Sequence, residues 1–407
     1  MTEGKYYFFD EDSCDLCGVC LSKCPVMGLP VEEAKEEVRR LVEGEEARHV
    51  FSKCTGCMTC NLLCPKDCKP YDLILYRLYE RYRRDGLPSI ARFMVTPTQT
   101  PSNVWSLALS EDERETFRLW EEAAEAAERR GVEEVVYPGC VMCFPPYLSH
   151  SKLFDSLTIA MRNELCCGEP FYRIGVLDVA EQAARRLEEW FRRIGARKVV
   201  FPCLGCYNTI MKIYPERFGV KYDFEGVAFL DLIWDKIESG EVKVKNRLNI
   251  KVTVHDNCHS KPFGDKYHDL TRMILEKLGA EIVEMKHNRE NASCCGLAAF
   301  AIRQDPADVV NVATGVIEEA EETGAEALVV RCGGCLTTLS VASTLSLGRM
   351  PVYHIIELVQ KAIGEEPQRG SVERSGRIVK LLFEELPKQF ANLPERYWVT
   401  LQDREER

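Results

Sequence analysis

The stretch LCCGEP at residues 165–170 places two adjacent cysteines directly before a glycine, and SCCGLA at residues 293–298 repeats this arrangement. A C-x2-C pair follows each double cysteine, after 35 residues at 203–206 and after 36 residues at 332–335. Glycine has no Cβ, so the backbone beside the two thiols can approach a neighbouring group closely. A cysteine pattern that recurs at this spacing indicates an internal duplication and decides how the rest of the chain is divided.

The residues around the two patterns alternate between strand-like and helix-like segments. VEEVVYPGC at 132–140 and VTVHDNC at 252–258 each predict a buried strand that ends at a cysteine. ARKVVFPCLGC at 196–206 and AEALVVRCGGC at 325–335 each predict a strand that ends in the C-x2-C pair, with an amphipathic helix before it. Alternating strands and helices predict mostly parallel sheets. The cysteines then lie at the carboxyl ends of the strands, where such sheets bind ligands.

The composition narrows the class of protein. Twenty cysteines in 407 residues are many, but a secreted disulfide scaffold is usually far shorter and less hydrophobic than this chain. The N-terminal sequence lacks the order of a signal peptide, and no apolar run approaches the roughly 20 residues of a membrane span. The net charge of −11 argues against nucleic acid as a partner. We therefore expect a cytoplasmic protein that uses its thiols for metal or redox chemistry.

Two cysteine runs near the N-terminus share the spacing C-x2-C-x2-C-x3-C-P: CDLCGVCLSKCP at 14–25 and CTGCMTCNLLCP at 54–65. Bacterial ferredoxins with two clusters use this run, in which the fourth cysteine binds the other cluster. A zinc ribbon would instead need two C-x2-C pairs at a longer separation. We therefore expect two [4Fe–4S] cubanes, the first held by Cys14, Cys17, Cys20 and Cys64, and the second by Cys54, Cys57, Cys60 and Cys24.

The stretch between the runs, VEEAKEEVRRLVEGEEARHV at 31–50, is charged and predicts a helix. The N-terminal region is therefore predicted as an α-helical ferredoxin-type domain. Cys68 falls outside both runs, and we interpret it as a partly buried structural thiol and not as a ligand.

Four phrases in the second region resemble a known family: YPGC (137–140), CCGEP (166–170), HDNCH (255–259) and NRENASCCG (288–296). They resemble the cysteine-rich CCG-domain family and, within it, the catalytic subunit of heterodisulfide reductase. The resemblance covers nearly the whole chain, the ferredoxin-type domain included. It implies that this domain is followed by a duplicated α/β (CCG) domain with mostly parallel sheets.

The resemblance also divides the chain. We expect a ferredoxin-type domain with two clusters, a linker and helix, a first CCG domain, a second CCG domain and a C-terminal helical tail. Their expected boundaries are 1–92, 93–131, 132–243, 244–365 and 366–407. The Pro-, Thr- and Ser-rich stretch FMVTPTQTPSNVW at 93–105 predicts the linker, and Ser110 and Gly131 are expected to bound the helix that follows it.

The resemblance implies a ligand set of five cysteines in each CCG domain. Each set would hold a non-cubane [4Fe–4S] cluster, built from two smaller fragments that share an iron, which binds the sulfurs of a disulfide directly. The first set is Cys140, Cys166, Cys167, Cys203 and Cys206. The second set, which we expect to be catalytic with an open iron site, is Cys258, Cys294, Cys295, Cys332 and Cys335.

The first set departs from the family pattern. Only 25 residues separate Cys140 from Cys166, against 35 between Cys258 and Cys294, and Cys143 adds an extra C-x2-C. A different cluster, a different ligand set or an opened pocket would each account for this at the first site. We expect one or two non-cubane clusters and, if only one, the second.

Two histidines flank Cys258. Either His255 or His259 could donate a proton to a departing thiolate, and His259 is the candidate that we add to the catalytic set. The alternative, which we prefer, is packing or a hydrogen bond to cluster sulfur. Lys261 is a candidate for attracting an anionic substrate.

These features predict an oxidoreductase subunit that relays single electrons through two cubanes to CCG clusters, where a small disulfide is reduced or formed. The chain has no flavin fingerprint and no membrane span, so its electron partner is expected to be a flavoprotein subunit or a membrane cytochrome b subunit. Such a partner could associate the chain with a membrane.

Two alternatives stay open. One is an electron-relay subunit of a flavin-dependent 2-hydroxyacid or glycerol-3-phosphate dehydrogenase that passes electrons to quinone. The other is an assembly scaffold with structural zinc. The complete second cysteine set favours sulfur chemistry over the relay, because a relay needs no open iron site.

Overall fold

The computed structural model describes residues 4–88, 91, 108–142, 145–162, 164–297, 306–368, 371–381, 384, 388 and 395–401. These residues form an N-terminal helical region and two four-stranded sheets. The predicted linker at 93–105 and Cys143 lie outside the described residues.

The N-terminal region is helical, as the charged stretch between the cysteine runs predicts. Its helices are α1 (Val19–Ser22), α2 (Val31–Glu43), α3 (Arg48–Lys53), α4 (Thr59–Leu63) and α5 (Pro70–Asp85). The predicted helix over 31–50 is divided into α2 and α3, because Gly44 adopts the left-handed conformation that ends α2. The short strand β1 (Leu87–Pro88) pairs antiparallel with β10 (Arg396–Tyr397) and ties the end of this region to the C-terminal segment.

Two parallel sheets follow, and both have the same strand order. The first contains β2 (Glu134–Val136), β3 (Thr158–Ile159), β4 (Lys198–Phe201) and β5 (Glu225–Ala228), in the order β3-β2-β4-β5. The second contains β6 (Lys251–Val254), β7 (Glu281–Ile282), β8 (Ala327–Val330) and β9 (Val352–His354), in the order β7-β6-β8-β9. In each sheet the first and third strands lie side by side, which brings the first cysteine of each set to the same edge as the C-x2-C pair.

Helices connect and cover these strands. In the first half they are α6 (Glu111–Arg130), α7 (Gly139–Met142), α8 (Glu169–Arg173), α9 (Leu177–Ile194), α10 (Leu204–Asn208), α11 (Tyr214–Phe218) and α12 (Phe229–Glu238). In the second half they are α13 (Lys266–Lys277), α14 (Pro306–Glu322), α15 (Gly333–Leu345), α16 (Ile355–Ile363) and α17 (Ser371–Lys380). Short segments of 3-10 helix cover Pro146–Ser149, Lys152–Phe154, Cys258–Phe263 and Arg289–Asn291, and a π turn covers Thr209–Ile213.

The predicted bounds of α6 are confirmed. The Ser110 hydroxyl accepts a hydrogen bond from the Glu113 amide, the Glu113 carboxylate accepts one from the Ser110 amide, and Gly131 ends the helix. Glu113 also pairs with Arg374 and Arg377 of α17. The carboxylate that caps α6 thus holds the C-terminal helix as well.

Two hydrophobic cores organise the described residues. One runs through both parallel sheets and includes Val135 of the first and Val252 of the second. The other joins the N-terminal helices to α8 and α9. Cys57 belongs to the core of the sheets, whereas Cys54 and Cys60, from the same run, belong to the N-terminal core. The N-terminal region is therefore packed directly against the α/β part of the chain.

Candidate functional site

The cysteines expected to hold the first cubane surround one cavity. Cys14, Cys17, Cys20 and Cys64 all line it, together with Cys68 and apolar side chains of α1, α2 and α5. The Cys68 amide donates a hydrogen bond of 3.4 Å to the sulfur of Cys64, and Cys68 itself is buried. Four thiols around one apolar cavity form a donor set that suits an iron–sulfur cubane.

The other four N-terminal cysteines also lie together. Burial raises the pKa of Cys60, the thiols of Cys54 and Cys57 raise it further, and those of Cys20 and Cys24 have a smaller effect in the same direction. The pKa of Cys24 is also raised, mainly by burial and next by the neighbouring thiol of Cys57. The fourth cysteine of each run therefore approaches the cysteines of the other run, as the spacing predicts.

The two cysteine runs share one backbone conformation. The residue before the second cysteine is left-handed in both, with a φ of 55° at Leu16 and 65° at Gly56. The residue after it is left-handed too, with a φ of 73° at Gly18 and 62° at Met58. Leucine and methionine rarely adopt this conformation, so the loop shape is imposed by its surroundings and not by local preference.

The first α/β unit gathers all five of its cysteines. The hydrogen bond with Cys140 is the largest cause of the raised pKa of Cys166. The sulfurs of Cys167 and Cys206 lie 3.5 Å apart, and Cys206 in turn interacts with Cys203. All five are buried. The short gap between Cys140 and Cys166 therefore does not keep the set apart.

The glycine of the double-cysteine pattern is required by packing. Gly168 has a φ of 75°, and a Cβ there would lie 2.7 Å from the Cβ of Ala183 and 2.8 Å from the hydroxyl of Tyr214. Gly296 has a φ of 90°, and a Cβ there would lie 2.6 Å from the carbonyl oxygen of Val309. In both units the glycine lets the loop with the two thiols pack against a following helix.

The second α/β unit gathers its five cysteines with more exposure. Cys295 interacts with both Cys294 and Cys335, and Cys332 interacts with Cys335. Burial raises the pKa of Cys258, while the charge of Arg173 lowers it. Cys258 and Cys332 are partly exposed, unlike every cysteine of the first set. The second site is therefore the more accessible of the two.

The two five-cysteine sites adjoin each other. The side chains of Cys203, from the first set, and Cys332, from the second, lie close enough to interact. A Cβ at Gly205 would lie 3.2 Å from both the Cys203 sulfur and the His259 ring, so a histidine of the second unit also borders the first site. The spacing of the cysteines does not predict that the two sites adjoin.

His259 is held on both sides of its ring. Its Nδ1 lies 3.2 Å from the side-chain amide of Asn208, and its Nε2 lies 2.9 Å from the carboxylate of Glu169 and also contacts Arg173. These contacts favour the packing role that we prefer over proton donation. His255 is buried too, and its Nε2 has no partner among the described residues.

Lys261 does not face a substrate. Its ammonium is buried and donates hydrogen bonds to the Thr59 hydroxyl at 2.6 Å and to the Ala292 carbonyl at 2.8 Å. The expectation that Lys261 attracts an anionic substrate is therefore wrong. Although burial raises the pKa of Cys57, the charge of Lys261 and the hydrogen bonds with Thr59 leave that pKa below its usual value.

Two buried arginines are absent from the residues predicted on sequence. Arg331 is fully buried beside Cys332 and donates to Asp256, Asn257 and Ser260, which fixes the HDNCH loop to the C-x2-C loop of the second unit. The first unit has Pro202 at the corresponding place. The charge of Arg331 at the end of a buried strand was therefore the feature of the sequence that could have identified it. Arg173 lies between the N-terminal region and the second site. Its position in the sequence bears no regular relation to the cysteines, so the spacing could not predict its role.

Two family models match the chain. The model of the cysteine-rich CCG domain matches twice, at residues 135–211 and 252–340. The model of the 4Fe-4S dicluster domain matches residues 6–65. Together these matches contain every cysteine of the four expected sets and cover more than half of the chain.

Three of the relatives of this chain are redox proteins. A subunit of the dihydromethanophenazine:CoB–CoM heterodisulfide reductase of Methanosarcina barkeri is 29% identical over 53% of this chain and 53% of its own length. The EtfAB:quinone oxidoreductase of Syntrophomonas wolfei is 21% identical over 87% of this chain and 58% of its own length. A subunit of the fumarate reductase (CoM/CoB) of Methanothermobacter marburgensis is 25% identical over 87% of this chain and 72% of its own length. The chain spans about half the length of the heterodisulfide reductase subunit that it matches.

Proposed function

Because the chain belongs to the iron–sulfur proteins that join a 4Fe-4S dicluster domain to cysteine-rich CCG domains, we propose that it is the disulfide-reducing subunit of a redox complex. The named relatives are oxidoreductases or subunits of them, which supports an electron-transfer role for this chain. In this proposal the first CCG domain is residues 132–243 and the second is 244–365, with the dicluster domain at 1–92.

The cofactors of the proposal are four clusters. The two sets of four N-terminal cysteines would each hold a cubane, and the two sets of five would each hold a non-cubane [4Fe–4S] cluster. When bound, these clusters supply one-electron transfer and, at the CCG sites, iron that can bind sulfur. The chain itself contributes the thiolates, most of which are buried.

One observation supports the proposal most: the side chains of Cys203, from the first set, and Cys332, from the second, lie close enough to interact, so the two proposed cluster sites would adjoin. A disulfide has two sulfur atoms that separate when its S–S bond takes up two electrons and two protons to give two thiols. Two adjoining sulfur-binding sites suit that product, whereas a linear relay has no use for them. Cys258 and Cys332 are partly exposed, so the second site is the one that a small disulfide would reach first.

Electrons would come from a partner subunit, either a flavoprotein or a membrane cytochrome b. Cys14, Cys17 and Cys64 of the first cubane set are partly exposed, so this end of the chain suits electron entry. No helix in the described ranges has the length and apolar character of a membrane span.

Two measurements on anoxically purified protein test the proposal. One is its metal content, and the other is the EPR spectrum after treatment with thiol under oxidising conditions. We expect about sixteen irons, no zinc and a paramagnetic signal that depends on added thiol. Cys332→Ser should remove that signal, while Cys68→Ser, which changes a thiol outside all four sets, should keep it. Four clusters with no thiol-dependent signal would contradict disulfide chemistry.

A second candidate is the relay subunit of a flavin-dependent dehydrogenase complex that delivers electrons to quinone. The similarity to the EtfAB:quinone oxidoreductase, over 87% of this chain, favours it. Protein with a full set of clusters, no thiol-dependent signal and reduction by a flavoprotein partner would support this candidate. Zinc in place of iron at the CCG sites would support the scaffold instead.

A further inference from the structure

Arg173 occupies the junction of three parts of the chain. It is the last residue of α8, which follows the first CCG double cysteine, and it is only 7% exposed. Its guanidinium donates from one nitrogen, Nη1, to the Gly56 carbonyl at 2.9 Å and to the Cys258 sulfur at 3.1 Å. One buried cation thus touches the loop of the proposed second cubane and a cysteine of the second CCG site.

The contacts continue on the cubane side. Gly56 lies between Cys54 and Cys57, and its amide donates a hydrogen bond of 3.4 Å to the sulfur of Cys54. A short series of contacts therefore runs from the Cys54 sulfur through Gly56 and Arg173 to the Cys258 sulfur. Cys54, Gly56 and Arg173 are buried, and only Cys258 at the end of the series is partly exposed, so packing sets the distance between the two sites.

A second bridge runs parallel to the first. Lys261 donates to the Thr59 hydroxyl, and Thr59 lies 3.2 Å from the Cys57 sulfur. A lysine ammonium has no acceptor, so Thr59 accepts from it and its own proton is left to point at Cys57. Lys261 also holds the carbonyl of Ala292, two residues before Cys294. Both bridges begin at the proposed second cubane and end in the second CCG domain.

Arg173 is itself positioned by its neighbours. Glu169 pairs with the guanidinium and, at 2.9 Å, with His259, which leaves the arginine one fixed orientation. Both Glu169 and Arg173 come from the CCGEPFYR segment of the first CCG domain, yet they act on a cysteine of the second. The first domain therefore supplies a cation to its neighbour's site.

We propose that Arg173 is a positioning residue that raises the reduction potential of the cluster held by Cys258 and makes the second CCG site the acceptor of electrons from the second cubane. A reduced cluster carries one more negative charge than the oxidised form. A buried cation and an N–H···S hydrogen bond therefore stabilise the reduced form. This inference rests on the proposed function only in needing a cluster at the second site.

Redox titration followed by EPR tests the proposal on anoxic protein. We expect Arg173→Gln to lower the equilibrium constant for reducing the second-site cluster at least tenfold, a shift of about 59 mV to lower potential. Arg173→Lys keeps the charge but loses the rigid, planar set of donors, so its shift should be smaller. The second-site signal is identified as the one that Cys295→Ser removes.

Arg217→Gln is the matched control. Arg217 is also a mostly buried arginine at the junction with the N-terminal region, but it pairs with Asp72 at 2.6 Å. Its substitution should leave the second-site potential unchanged. An Arg173→Gln protein with an unshifted potential overturns the inference, as does equal loss of all clusters in both Arg173 variants, since that would make Arg173 a residue of the fold alone.

The readout separates this inference from the proposed function, because the titration contains no disulfide. A shifted potential without any thiol-dependent signal would keep the inference and remove the disulfide reductase. An unshifted potential together with a thiol-dependent signal would remove the inference and keep the disulfide reductase. Wild-type protein with only about eight irons has no second-site cluster and would overturn both.

Discussion

The hydroxyl of Tyr214 donates a hydrogen bond to the backbone carbonyl of Cys167, and the two residues enclose Gly168 against α9. This contact fixes the loop that presents the double cysteine of the first CCG domain. A side chain at Gly168 would meet both close neighbours and an unfavourable positive φ. Comparison with a glycine that has a similar φ but no close neighbours separates the two effects.

We expect Gly168→Ala to destabilise the protein by about 1–3 kcal/mol more than Gly195→Ala, since the new methyl group would overpack the space beside Ala183 and Tyr214. Gly195 has a similar φ of 70° but nothing within 4 Å of its would-be Cβ, so it reports the strain alone. Chemical denaturation under anoxic conditions measures the difference. Equal losses in the two variants would show that the loop yields to the methyl group.

The crossing of the fourth cysteines predicts which cluster each substitution removes. Cys24→Ala should degrade the proposed cubane of Cys57 and Cys60, although Cys24 belongs to the first run. Cys64→Ala should degrade the one held with Cys14 and Cys20. EPR of the reduced proteins distinguishes them, because Cys57→Ala provides the reference spectrum for loss of the second cubane. A Cys24→Ala spectrum that matches loss of the first cubane would contradict the crossing.

Glu113 joins α6 to α17, and its neutralisation tests how firmly the C-terminal helix is attached. Glu113→Gln leaves an amide oxygen for the Ser110 amide but deprives buried Arg374 of its charged partner. A buried charge that loses its partner is costly, so we expect a loss of about 3–5 kcal/mol in thermal or chemical unfolding. Glu115→Gln, on the exposed face of the same helix, is the control and should cause no measurable loss.

His354 gives the protein a defined sensitivity to acid. Burial lowers its pKa from 6.5 to about 3, while its Nδ1 caps α16 by accepting from the Ile356 amide. The unfolded chain takes up the proton first as the pH falls. Stability is therefore unaffected well above pH 6.5 and declines between there and pH 3, by about 1.4 kcal/mol for each pH unit.

His354→Asn should make that decline shallower, because asparagine can cap the helix and does not titrate. His255 and His268, whose pKa values burial also lowers, keep their share of it. Thermal unfolding of anoxic protein at pH values from about 7.5 to about 5, on both sides of the ordinary histidine pKa, measures the slope. His49→Asn, at a partly exposed histidine, is the control for the loss of one imidazole. An unchanged slope in His354→Asn would assign the acid sensitivity to other groups.

Much of the fold could be predicted because cysteine spacing and strand ends are local features. The strands that precede Cys203 and Cys332 were confirmed as β4 and β8, each a short apolar run. The edge strands β3 and β7 were missed, since each is only two residues long and too short to carry a pattern. Periodicity needs several residues to appear.

The part of the site that could not be predicted depends on contacts between distant segments. Arg173 reaches Gly56, 117 residues away, and Lys261 reaches Thr59 across 202 residues. Neither residue stands at a recurring distance from a cysteine, so spacing carried no information about them. The wrong expectation for Lys261 followed from treating a charge near a strand end as exposed, whereas the N-terminal region covers it.

The division of one cysteine run between two cores bears on how the protein is made. Cys57 is packed into the core of the sheets, while Cys54 and Cys60 are packed into the N-terminal core. All three are buried once these parts have met. We therefore expect iron and sulfide to be delivered to this run during biogenesis before the dicluster domain docks, and chains produced under iron starvation to remain open to protease at that junction.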